Sequence, residues 1–215
     1  MRAKAPPTGP RRWLSVGLAT VLAALLLSVF VLGVVRVEGH SMEPTLHDGD
    51  RVLVLRTGAW LQRLGLGGFR PGDIVFFPDP TVHGGPARWL LGGHLLIKRI
   101  VAGPGREVAL LRGRVLVDGR VLSEPYLRGA FRGAASIPPM RVPRSHDYVM
   151  GDNRHPLASF DSRSFGPVPA GSILGRAVLV VWPLLRRTPE GRRWNVHAVA
   201  PPAPAPAIAR GAGAH

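Results

Sequence analysis

Three short stretches of this chain hold side chains able to do chemistry. In Val37-Glu38-Gly39-His40-Ser41-Met42-Glu43-Pro44-Thr45-Leu46 a serine sits between a glycine and a proline. A hydroxyl there is an ordinary turn residue or, beside a base, a nucleophile. In Leu95-Leu96-Ile97-Lys98-Arg99-Ile100-Val101-Ala102, strand alternation puts Lys98 on one face with Leu96, Ile100 and Ala102 and turns Arg99 to the other. Burial disfavours an ammonium, and a lysine starting near ~10.4 can be brought toward roughly 7 to 8, where the neutral amine accepts a proton. An interior lysine whose head reaches water does no such work. The third stretch runs from Met150 to Val168 and sets Asp152, Asn153, Arg154, Ser159, Asp161, Ser162 and Arg163 close together, either as a self-bonded polar turn or as support for a site.

The composition narrows the choices. The chain has no cysteine, so disulfides, thiolate zinc sites and a cysteine nucleophile are excluded. Its 28 basic residues divide into 26 Arg and 2 Lys, Lys4 and Lys98. An arginine stays protonated in proteins and cannot act as a base, so a lysine at position 98 departs from the chain's own habit. The net charge of +15 is spread from Arg2 to Arg210 without a long basic block, and we expect no nucleic-acid partner from it. His40 adjoins Ser41, but neighbouring strand residues point to opposite sides, and the G-x-S-x-G elbow of a Ser-His-Asp hydrolase is missing. His83, His94, His146 and His155 show no metal-ligand spacing, so neither a metal nor another cofactor is expected.

The elements that must position these residues are legible as patterns. Trp13 to Val35 is a run of 23 uncharged residues, about 34 Å as a helix, long enough for a bilayer. Arg2, Lys4, Arg11 and Arg12 precede it and place the N-terminus in the cytoplasm. Beyond Arg36 the apolar runs become short and are broken by Gly, Pro and Asp, the rhythm of a β-rich domain. Strands are expected at Arg51 to Leu55, Ile74 to Phe77, Leu95 to Ala102 and Ile173 to Trp182, with a hairpin turning at Asp118-Gly119. The Ala59 to Leu64 and Trp89 to Leu91 stretches fit either the membrane interface or core packing. The expected organisation is a basic N-terminus over 1–12, an anchor over 13–35, and a β core over 36–102 and 145–185 that holds all three stretches. An inserted β subdomain occupies 103–144, and an Arg-rich then Pro/Ala-rich flexible tail takes 186–215.

Taken together, these stretches resemble the type I signal peptidases, membrane-anchored Ser/Lys endopeptidases. The resemblance rests on Ser41-Met42-x-Pro44-Thr45, Arg70-Pro71-Gly72-Asp73-Ile74-Val75, Lys98-Arg99-Ile100-Val101 with Gly103-Pro104-Gly105, and Gly151-Asp152-Asn153-Arg154 leading to Ser159-x-Asp161-Ser162-Arg163. It implies a mainly β fold, a single N-terminal transmembrane helix carrying an antiparallel catalytic domain on the outer face of the cell membrane, and no cofactor. Ser41 becomes the nucleophile, Lys98 the general base, Ser159 the residue orienting the lysine amine, and Asp161 with Arg163 the brace behind them. Gly39 stands where some members carry an oxyanion-stabilising hydroxyl, which implies a hole made of backbone alone. Partners would be signal-peptide-bearing preproteins, cut after small residues of Ala-x-Ala type, and membrane lipid. The spacer His155 to Ala158 is longer than in many members. A specialised relative acting on a dedicated pilus or conjugation precursor shares the same motifs. A non-enzymatic tethered module binding anionic lipid or nucleic acid accounts for the charge alone.

Overall fold

Strand pairing organises the chain around the Lys98 strand. The computed structural model describes residues 10–82, 94–127, 135–188 and 191–199. The Trp89 to Leu91 stretch lies outside them. Helix α1 (Pro10–Val31) leads into strand β1 (Leu32–Arg36). The main sheet then takes β2 (Arg51–Leu55), β3 (Ile74–Pro78), β4 (Leu95–Ala102), β9 (His146–Met150), β10 (Val168–Pro169) and β11 (Gly175–Trp182). Its order is β1-β2-β11-β3-β4-β9-β10, with β14 (His197–Ala198) added on β11, and every pairing is antiparallel.

Both faces of the central strands are covered, and the period of two decides which side chain goes where. On β3, Ile74 and Phe76 join Val37, Met42, Leu46, Val52 and Ala177 in one cluster. Val75 and Phe77 join Ile100, Val149, Val168 and Ile173 in the cluster on the other side. Lys98 pairs with Val75, so the lysine stem enters this second apolar layer.

Between the two halves of the main sheet the chain builds a separate four-stranded sheet. Its strands are β5 (Glu107–Leu111), β6 (Arg114–Val117), β7 (Arg120–Val121) and β8 (Ile137–Arg141), in the order β7-β6-β5-β8. The hairpin turns where expected: Asp118 and Gly119 have φ of 52° and 75°, the left-handed pair a two-residue turn requires. A short 3-10 turn, Pro125–Leu127, leads away from this sheet.

Two expectations need correction. The apolar run does not continue as helix to Val35: residues 32–36 pair with β2, Leu32 against Leu55 through Arg36 against Arg51. Gly33 and two consecutive valines, poor helix formers, find ladder partners there instead. Among the described residues, which leave out the side chains of 10–12 and 26–30, no helix is long and apolar enough to cross a membrane. The tail is also ordered at its start: β12 (Leu185–Thr188) and β13 (Gly191–Trp194) form a hairpin. The buried Asp50 carboxylate supplies the reason, because Oδ1 accepts hydrogen bonds from Arg186 Nη2 and, at 3.0 Å, from Asn195 Nδ2. Residues 200–215 lie outside the described ones.

Candidate active site

Ser41 follows β1 in a tight turn fixed from below by its neighbours. Met42 and Leu46 are completely buried in the core beside it. The turn closes through Thr45 N–H to Met42 O at 2.9 Å and Val37 N–H to Asp50 O at 2.7 Å. Gly39 just before it has φ of 82°, a conformation that favours glycine, and its N–H donates to Asp48 Oδ1 at 2.8 Å. A side-chain hydroxyl at this position is therefore disfavoured by backbone geometry, and glycine supplies none.

The long β4 ladder brings Lys98 to this turn from 57 residues away. Its Nζ donates to Ser41 Oγ across 2.7 Å. The lysine is only 3% exposed, and the apolar layer around Leu96, Ile100, Val75 and Phe77 strips its ammonium of water. That desolvation is the main cause of a pKa lowered to about 8, with Asp161 pulling it up and Arg163 pushing it down. A hydroxyl touching an amine whose pKa is lowered toward neutrality can act as a nucleophile–base pair. His40 is not in this arrangement: its Nδ1 lies 2.9 Å from Glu43 Oε1 and its side chain is 69% exposed.

The polar loop after β9 closes the third side. Asn153 N–H donates to Ser41 O at 3.0 Å, and its Nδ2 donates to His40 O at 3.0 Å. Gly151 lies so near that an added Cβ would stand 2.5 Å from Ser41 O and 2.2 Å from Ser159 Oγ. This places Ser159 and Ser41 on the same glycine. The Ser159 hydroxyl donates to Asp161 Oδ2 at 2.7 Å, while the Lys98 amine bonds to Ser41.

Asp161 is fully buried and caps the short helix Ser162–Phe165. Burial alone would raise its carboxyl pKa. Arg163 Nε and Nη2, each at 2.8 Å, with the Gly151 N–H and Ser159, outweigh that and hold it below the usual carboxylate range. Asp161 thus stays an anion facing Lys98, with its charge offset by Arg163. The pair expected as a brace has a fully buried carboxylate and an arginine only 17% exposed.

On the opposite face of β4, Arg99 holds Asp152 with two bonds, Nε to Oδ1 at 2.9 Å and Nη2 to Oδ2 at 2.6 Å, and also donates to Gly72 O at 2.8 Å. Thr45 Oγ1 donates to the same Asp152. The nucleophile turn, β4 and the polar loop therefore meet at Asp152. Gly151, Asp152, Asn153 and Thr45 lie inside the sequence motifs without an expected role of their own beside those named for Ser41, Ser159, Asp161 and Arg163. The signal was their adjacency to the named ones.

The chain is similar to known proteins. The family described as signal peptidase, peptidase S26, matches residues 10–182. Signal peptidase I of Bacillus licheniformis is 31% identical over 189 residues, covering 82% of this chain and 91% of that protein. A probable signal peptidase I-2 of Synechocystis is 34% identical, covering 86% of this chain and 79% of that one. Signal peptidase I T of Bacillus subtilis is 33% identical over 76% of this chain and 80% of its own length. With the Ser41–Lys98 contact and the loop beneath it inside the matched region, this chain belongs to the signal peptidase family, peptidase S26.

Proposed function

We propose that this chain is a signal peptidase I, a serine endopeptidase cleaving signal peptides from preproteins with Ser41 as nucleophile and Lys98 as general base. The observation that carries the assignment is the 2.7 Å contact between Lys98 Nζ and Ser41 Oγ inside an apolar layer. In the neutral state the amine has a lone pair directed at the hydroxyl. Lys98 takes the Ser41 proton as Oγ bonds to the scissile carbonyl carbon, and the carbonyl oxygen gains the negative charge. The Ser41 N–H holds that oxyanion. Collapse breaks the C–N bond, Lys98 protonates the leaving amine, and a water activated by the same amine then hydrolyses the Ser41 ester. Ser159 and Asp161, joined at 2.7 Å, and Arg163 keep the surroundings of the amine fixed.

The same reading gives the chain a single membrane anchor with its catalytic domain on the outer face. From Trp13 to Val31 the helical sequence has no charge, about 28 Å of helix, close to the thickness of a hydrocarbon core. Arg11 and Arg12 stand before it. A second helix, α2 (Thr57–Arg63), starts beside its end, where Arg56 N–H donates to Val31 O at 2.8 Å. Around α2, Ala59 is buried while Trp60, Leu61, Leu64 and Leu66 are exposed, which suits a headgroup layer.

Cleavage of a signal-peptide-bearing preprotein by wild type, Ser41→Ala and Lys98→Arg tests the assignment. Both variants are expected to fold and to leave the preprotein uncut. Measurable turnover by Lys98→Arg would end the general-base role.

A further inference from the structure

The separate β5–β8 sheet has no part in the chemistry above, yet the segment leaving it reaches the active site. The Glu124 carboxylate is fully buried, and its Oε1 accepts from Tyr126 OH at 2.9 Å and from Arg154 Nη2. Arg154 in turn donates from Nε to Gly151 O at 2.7 Å. Its Nη1 has no hydrogen-bond partner among the described residues, so Glu124 and the Gly151 carbonyl fix the guanidinium. On the other side, the Tyr126 ring lies 3.8 Å from the Arg99 Cζ, stacked on the cation that holds Asp152. Two residues of one short turn thus touch both arginines that grip the Gly151–Asp152–Asn153 loop.

That loop sets where the nucleophile stands. Asn153 bonds to the Ser41 and His40 carbonyls, and Gly151 is packed against Ser41 O closely enough to exclude a methyl group. We propose that Glu124 and Tyr126 are positioning residues for the cleavage reaction: the turn leaving the second sheet clamps Arg154 and Arg99, and through them seats Ser41 opposite Lys98. This rests on the assignment of Ser41 and Lys98. A buried arginine that loses its carboxylate must find other acceptors, and the Gly151 carbonyl is displaced as it does so. Misplacing a nucleophile by about 1 Å can cost about 100-fold in rate.

The test uses full-length protein and a preprotein substrate, with kcat, KM and Tm measured for Glu124→Gln, Tyr126→Leu and Tyr126→Phe. Val115→Ala, fully buried in the same sheet and outside the network, is the stability control. Glu124→Gln and Tyr126→Leu should each lower kcat by roughly 10- to 100-fold with KM within about twofold. Tyr126→Phe, which keeps the ring on Arg99, should recover most of the loss. Val115→Ala should lower Tm as far or further while keeping kcat within about twofold of wild type. Wild-type kcat in Glu124→Gln or Tyr126→Leu overturns the proposal, as does a loss no larger than that of Val115→Ala at equal loss of Tm. Should Ser41→Ala still cleave, the nucleophile assignment fails and the clamp with it. An inactive Ser41→Ala beside a fully active Glu124→Gln sinks the clamp alone.

Discussion

Lys98 and Arg99 are neighbours on one strand and live under opposite electrostatic rules. Both are almost completely buried, at 3% and 1% exposure. Arg99 is met by a carboxylate with two hydrogen bonds, by a carbonyl and by an aromatic face. Lys98 is met by a serine hydroxyl within an apolar layer, with its nearest anion already paired to Arg163. The difference teaches how one fold keeps one cation and discharges another: a paired charge stays, and an unpaired one is disfavoured by burial until it sheds its proton. Only lysine can follow the second course, which is why the chain's preference for arginine stops at position 98.

Four measurements would break or sharpen that contrast. The largest effect is expected from Asp152→Ala, which turns Arg99 into an unpaired buried cation that has no means of deprotonating. Loss of about 3–5 kcal/mol in unfolding free energy is expected by denaturant titration, and a variant as stable as wild type would show that the pair holds nothing together. Gly151→Ala comes next, because its methyl group would stand 2.5 Å from Ser41 O, at the point where the two regions meet. The expected result is a kcat lower by about 100-fold in a protein that still folds, read by cleavage kinetics and circular dichroism together.

The third concerns pH. The base works when neutral and its pKa is lowered to about 8, so activity should climb about tenfold per pH unit below 8 and level off above it. The Arg99 side does not titrate in that range. A profile flat from pH 6 to about 9 would contradict a lysine base. The smallest effect is the anionic counterpart of Lys98. Asp147 is buried, and desolvation raises its carboxyl pKa to about 6. A carboxyl whose folded pKa lies above its unfolded value near 3.8 stabilises the fold at acidic pH, and that advantage fades as pH rises through 6. Asp147→Asn should therefore raise Tm by a few degrees at neutral pH and leave it nearly unchanged at pH ~4.

What could be read from sequence was what repeats locally. Arg51–Leu55 and Leu95–Ala102 stand out by their apolar runs, and in the buried stretch Ile97–Ala102 a polar residue needs a reason. Lys98 stood out for that same reason, and Ser41 by its turn. The partners of Arg154 and Arg99 were not legible, since Glu124 and Tyr126 lie across a separate sheet and no pattern in a sequence marks an ion pair 30 residues long. The hairpin of Leu185–Thr188 with Gly191–Trp194 was hidden by its own arginines, which looked like tail. One of them, Arg186, serves an aspartate at position 50.

That last contact ties the turn of Ser41 to the order of synthesis. Asp50 ends the turn that carries Ser41, and its partners Arg186 and Asn195 lie 136 and 145 positions later in the chain. Contacts of such separation carry a large loop-closure cost and form late. The turn that carries Ser41 therefore gains these two partners only after residues 186 to 195 have been synthesised.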